Sequence, residues 1–183
     1  MKPEEKARVK IDKWLTDAGW KVINRDEFEA NSTAVAVREG LLKGNKEVDY
    51  FLFINGKAVG VLEAKREEVD VVQQIVCDQA EGYARCVPSY YTAFQKPLPF
   101  IYTSNGKHHY CRDFRKEDSV YEEISVMHKP KKLVEMLGIE DPFAGLPTLN
   151  PKGLRACQYE AITGLEKSFR NGQNRALMVL SST

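Results

Sequence analysis

The chain has 183 residues, 43% hydrophobic and 29% charged, enough for one good core and a small appendage in a soluble globular protein. A net charge of +1 excludes a globally basic nucleic-acid binder, so any such contact needs a local patch. No apolar run is long enough to span a bilayer, and Cys77, Cys86, Cys111 and Cys157 form no C-x-x-C pair, which argues against a zinc or disulfide framework and for a reducing cytoplasm. The opening Met1-Lys2-Pro3-Glu4 does not begin a signal peptide.

Along residues 3–18, Ala7, Ile11, Trp14 and Ala18 recur on one stripe beside Leu15, which predicts an amphipathic helix stopped by Gly19. Glu4 falls on the same stripe, where it is either a favourable acid at a helix N-terminus or a functional carboxylate. Residues 20–23 and 34–37 read as short strands. Residues 50–54 and 58–64 read as two more, joined through Asn55-Gly56, a strong hairpin signal. Residues 67–87 show helical spacing at Val69, Val72, Val76, Ala80, Tyr83 and Val87. Residues 100–103 form a further strand, and Asn105-Gly106 offers a turn into 108–114. A short helix at 131–137, a turn-rich linker at 141–147, a helix at 154–170 stopped by Asn171-Gly172, and an apolar strand at 176–180 complete the chain. The pattern is one α/β layer structure followed by the start of something else.

Charges cluster at the ends of the apolar hairpin. Glu63 and Lys65 are two apart on a strand and project from one face. Asp49 lies near the start of the partner strand, so the hairpin folds these ends together. Two carboxylates converging at a sheet edge repel each other unless a cation intervenes, and such oxygen ligands suit Mg²⁺. A metal held there acidifies water and offsets charge on a phosphate, and a nearby lysine orients the water, which is chemistry suited to cutting a phosphodiester. Register decides whether the acids meet. An unbroken ladder with a two-residue turn pairs Ile54 with Lys57 and sets Asp49 against Leu62, sending Glu63 to the other face. A three-residue loop, or a bulge before Asp49, puts the two acids on one face, and that is the expectation here. Taken alone, acid-x-Lys at a strand end is more often a solvated rim.

The surrounding residues carry more. Val37-Arg38-Glu39-Gly40, Gly44, Asp49-Tyr50 and the run from Val59 to Lys65 together resemble the nuclease domain of the restriction subunit of type I restriction-modification enzymes. That family has the D…(D/E)-x-K signature, here Asp49, Glu63 and Lys65, and a Q-x-x-x-Y element, here Gln79 and Tyr83. Its opening is matched by Glu4-Glu5-Lys6-Ala7-Arg8 and Ala18-Gly19-Trp20. The resemblance implies a restriction-endonuclease-like PD-(D/E)xK fold with a central mixed sheet, an antiparallel hairpin and flanking helices. It implies Mg²⁺ on Asp49, Glu63 and the Ala64 carbonyl, a water oriented by Lys65, and Gln79 and Tyr83 positioning double-stranded DNA. Glu4, with Glu5 adjacent, matches a first-helix glutamate that approaches the metal in related nucleases. On the residues alone, Tyr83 is equally a core tyrosine in line with Val76 and Val87.

Leu154-Arg155-Ala156-Cys157-Gln158-Tyr159-Glu160-Ala161-Ile162 resembles the element that precedes the first motor domain of superfamily 2 helicases and translocases, in which the glutamine reads the adenine of ATP. Gln158 is the matching residue, and no phosphate-binding loop follows it. The expected organisation is a nuclease core over 1–115, a helical extension and linker over 116–150, and the start of a RecA-like ATPase over 151–183. The expected partners are DNA and the specificity and methylation subunits, with no membrane. Two rivals remain: a recombination or repair nuclease of the same fold, and a non-catalytic DNA-binding or docking module. His108-His109 and His128 give no metal spacing, and the basic run 129–132 reads as a solvated surface.

Overall fold

The computed structural model describes residues 3–30, 32–44, 46–139 and 148–170, without the side chains of Pro3, Glu4 and Arg170. The chain divides into two compact units, Met1–Leu133 and Val134–Thr183.

In the first unit, α1 spans Pro3–Asp17 and buries Ala7, Ile11 and Leu15, the stripe expected from spacing. Gly19, at φ +93°, turns the chain out of the helix in the left-handed conformation that glycine adopts freely. The next elements are β1 (Lys21–Ile23), a 3₁₀ turn (Arg25–Glu27), β2 (Ala34–Leu41), β3 (Glu47–Ile54) and β4 (Lys57–Ala64). They are followed by α2 (Gln74–Arg85), β5 (Thr92–Ala93), β6 (Phe100–Ser104), β7 (His109–Asp113) and β8 (Glu122–Glu123). The strands form one mixed sheet in the order β1-β2-β3-β4-β6-β7-β8, with β5 paired to β4. β1 runs parallel to β2, and β5 and β6 run parallel to β4, while the other pairs are antiparallel. The mixed α/β sheet flanked by helices is as expected from the sequence.

The β3–β4 hairpin contains the irregularity that the site requires. Ile54 pairs with Lys57 and Phe53 with Ala58 around a two-residue Asn55-Gly56 turn. The register then shifts, and Leu52 pairs with Gly60, Phe51 with Val61 and Tyr50 with Leu62. Val59 is the extra residue of a β-bulge. Because of it, Ala58 and Val61 both join the core cluster containing Ala80 and Ala84 of α2. Without the bulge, alternation would send them to opposite faces.

α2 begins later than its spacing predicts. Residues 67–73 are turns, not helix, and Val72 and Ile75 are exposed. The buried Asn105 side chain donates to the Glu67 and Val69 carbonyls at 3.1 and 2.9 Å, taking acceptors that a helix would use itself. Asp70 adds a side-chain bond to the Val72 N–H, a local alternative to helix.

α3 spans Pro130–Leu137, across the boundary between the units. Within the second unit, α4 spans Ala156–Arg170. The strand expected at 176–180 lies outside the described residues.

Candidate active site

Asp49 and Glu63 are brought together by the bulged hairpin. Continuing the register of Tyr50 with Leu62 sets Asp49 against Glu63. The Asp49 carboxylate accepts the Ala64 N–H at 2.8 Å. Glu63 is only 3% exposed on a strand flanked by β3 and β6. Burial, and then the Asp49 charge, push its carboxyl up to about 7, against the opposing pull of Lys65. Lys65 follows the end of β4, its N–H bonded to the Ser104 carbonyl at 2.8 Å, so β6 fixes where its side chain starts. Its ammonium donates to Glu63 at 2.5 Å and to the Gln79 amide oxygen at 3.0 Å. Gln79 in turn donates to the Tyr83 hydroxyl at 2.5 Å. Four apart on α2, these two residues share a face, and that face looks onto the end of β4.

The result is a continuous chain of contacts, Asp49–Glu63–Lys65–Gln79–Tyr83, lining an open cleft of about 400 Å³. Ala64 also lines it, so Asp49, Glu63, Ala64, Lys65, Gln79 and Tyr83 all meet in one place. Tyr83 is half-buried: it packs against the core cluster while its hydroxyl reaches the cleft. The side chain of Glu4 lies outside those described. Among the described residues, no group of three or more His, Cys, Asp or Glu surrounds a point fit for a metal ion.

Arg8 and Glu39 are among the cleft residues not singled out as site candidates from the sequence. Arg8, on α1, donates to Asp49 at 2.7 Å and to Glu39 at 3.0 Å. Glu39 interrupts β2 with φ +51°, a left-handed conformation uncommon for a residue other than glycine. The only sequence signal for either was its place in the stretches that carry the family resemblance. One turn on from Arg8, Asp12 accepts from Arg38 at 3.2 and 2.9 Å and from the Tyr50 hydroxyl at 2.8 Å, which fastens α1 to the sheet.

Other candidates have local duties. His109 stacks on Trp14 at 4.0 Å, and burial pulls its ring down to about 4, so it is neutral. His108 pairs with Glu123 and His128 bonds the Tyr102 hydroxyl, so no histidine faces the cleft. In the second unit, the Gln158 amide oxygen accepts the Arg155 N–H at 2.9 Å, a capping contact at the start of α4.

Two acids, a lysine and an amide gathered at the rim of a mixed sheet are the groups expected of an enzyme acting on phosphate esters. The family described as the second domain of the type I restriction enzyme EcoKI endonuclease subunit matches residues 25–137. The chain belongs to this family of type I restriction enzyme endonuclease subunits. It is 27% identical to the type I restriction enzyme EcoKI endonuclease subunit of Escherichia coli K12 over 98% of its own length. It spans 20% of the length of that curated relative. Among solved structures it is similar to a fragment assigned as an HsdR subunit of a type I restriction enzyme from Vibrio vulnificus YJ016. That likeness has 22% identity and a TM-score of 0.47, and covers 96% of this chain and 34% of the other.

Proposed function

We propose that the first unit is a metal-dependent endonuclease of the PD-(D/E)xK type, the DNA-cutting part of a type I restriction enzyme's motor subunit. The observation that carries this reading is the meeting of Asp49 and Glu63 beside Lys65 in an open cleft. The donor set fits Mg²⁺: two carboxylates and the Ala64 carbonyl are hard oxygen donors, and the ion takes its remaining ligands from water and phosphate. Burial and then the Asp49 charge raise the Glu63 carboxyl despite Lys65, so two ionised acids side by side would gain from a divalent ion between them. Bound there, Mg²⁺ supplies charge at the scissile phosphate and acidity to a water.

The chain's own residues do the rest. Lys65 holds the attacking water by its ammonium and offsets charge that develops on the phosphate oxygens. Gln79 accepts from that ammonium and holds it in line, while Tyr83 holds Gln79. Together the pair forms the wall against which the duplex is positioned. In the full-length protein we assign ATP-driven translocation to a motor that follows this unit, with Gln158 reading adenine. Sequence recognition falls to separate specificity and methylation subunits.

The test is plasmid cleavage by the full-length complex carrying Asp49→Ala or Lys65→Ala. Cutting is expected to fall to background while ATP-driven translocation continues. Loss of both activities together would instead assign these residues a structural role, and retained cutting would end the reading.

A further inference from the structure

Arg8 places a second cation in the cleft. Its guanidinium bridges Asp49 and Glu39 through two nitrogens, and its side chain remains 41% exposed. A guanidinium has five N–H donors, so the two bonds leave others over. Lys65 on Glu63 and Arg8 on Asp49 thus flank the two acids, one cation for each. A divalent ion between the acids would free both cations to face a phosphate.

Its support is built, not incidental. Arg8 is four residues before Asp12, so the two share one face of α1. Asp12 is fastened to Arg38 and Tyr50, on the strands that carry Glu39 and Asp49. The registers of Arg38 with Tyr50 and Gly40 with Val48 put Glu39 across from Asp49. Glu39 sits at φ +51°, a left-handed backbone conformation that strains a residue with a Cβ. Glycine would relieve this, yet glycine stands next door at Gly40, where an added Cβ would collide with the Phe51 ring at 2.3 Å. The strained position keeps a carboxylate, and that carboxylate holds Arg8.

We propose that Arg8 contacts DNA, giving its guanidinium to a non-bridging oxygen of a strand phosphate at the cleft, and that Glu39 is the positioning residue that holds it there. The proposal rests on the nuclease reading and adds a residue to it. Guanidinium suits the task because its planar fork matches a phosphate's oxygens and is always charged.

The test compares Arg8→Ala, Arg8→Lys, Glu39→Gln and Asp49→Ala in the intact protein. It reads three quantities: cleavage rate against DNA and salt, Mg²⁺ binding by calorimetry without DNA, and melting temperature. Arg8→Ala is expected to slow cleavage about 10-fold or more at saturating Mg²⁺ and to lower the salt slope of KM by about one released counterion. Mg²⁺ binding should not weaken, since Arg8 no longer competes for Asp49, and the melting temperature should hold. Arg8→Lys should recover part of the loss, and Glu39→Gln should show a smaller defect of the same kind. An unchanged cleavage rate in Arg8→Ala overturns the proposal. So does a defect cured by excess Mg²⁺, which would make Arg8 part of the ion site, or one matched by a fall in melting temperature. Asp49→Ala separates the two levels: if it still cuts, the nuclease reading fails, and if it is inactive while Arg8→Ala cuts normally, only the role of Arg8 fails.

Discussion

The Asp49 carboxylate and the backbone N–H of Ala64 are joined by a 2.8 Å hydrogen bond that ties the start of β3 to the last residue of β4. That bond is the end point of a register set far away. The Asn55-Gly56 turn starts the ladder in the phase that sends Glu63 to the wrong face, and the bulge at Val59 corrects it.

Deleting Val59 should therefore leave the acids together. Val59 is the unpaired residue of the bulge, and without it Ala58 and Gly60 become neighbours that pair with Phe53 and Leu52 in an unbroken ladder, so Leu62 still faces Tyr50 and Glu63 still faces Asp49. A lower melting temperature is expected from the lost buried valine side chain, while Mg²⁺ binding and cutting persist. Calorimetric titration and a cleavage assay decide it. A folded deletion variant that neither binds the ion nor cuts would show that the bulge itself, and not the phase it sets, builds the site.

What was legible in the sequence follows from range. The Asp49–Glu63 meeting was readable because both acids belong to one hairpin, where strand arithmetic allows few registers and the site demands one of them. The Gln79–Tyr83 pairing was readable because helix spacing puts residues four apart on one face. Arg8 was not, because nothing local tells a helix 41 residues away which acid it will meet. The late start of α2 was hidden for the same reason: Val69, Val72 and Val76 have helical spacing, and only Asn105, from a distant turn, removes the acceptors. The two-residue strands β5 and β8 are too short to carry a pattern, and the parallel pairing of β1 with β2 leaves no turn signal.

Glu63 predicts the pH dependence of the metal-free protein. Its carboxyl is raised from 4.5 to about 7, so between those values the folded state keeps a proton that the unfolded chain has lost. Its stabilising contribution is full below about 4.5 and is lost as pH rises through about 7. His109, lowered from 6.5 to about 4, works the other way: its contribution is present above 6.5 and is lost as pH falls toward 4. The two windows overlap, so the difference between parent and Glu63→Gln isolates the first. Urea unfolding in chelator across pH 4–8 should show the parent losing stability relative to Glu63→Gln as pH rises through about 7. A difference that stays flat with pH would mean that Glu63 is not held protonated by its surroundings.

Asn105 gives the last prediction, because its side chain holds the loop that leads away from Lys65. Buried at 3% exposure, it donates to the Glu67 and Val69 carbonyls and accepts from the Lys107 and His108 N–H groups at 3.0 and 2.7 Å. The residue before it, Ser104, accepts the Lys65 N–H. Asn105→Ala removes four hydrogen bonds that a buried amide makes to partly buried backbone groups, at a cost of about 1–3 kcal/mol. It also frees residues 66–73 to follow their own helical spacing, which would draw Val69 from the cleft wall. Hydrogen exchange should therefore quicken at the Val69 and Lys65 amides, and cleavage should fall, while the acids on β3 and β4 still bind Mg²⁺. Asn105→Asp, which keeps the acceptor but sets a charge against two carbonyl oxygens, should not rescue it. Unchanged protection at Val69 in Asn105→Ala would mean that the loop holds its shape without the amide, and that the short α2 has another cause.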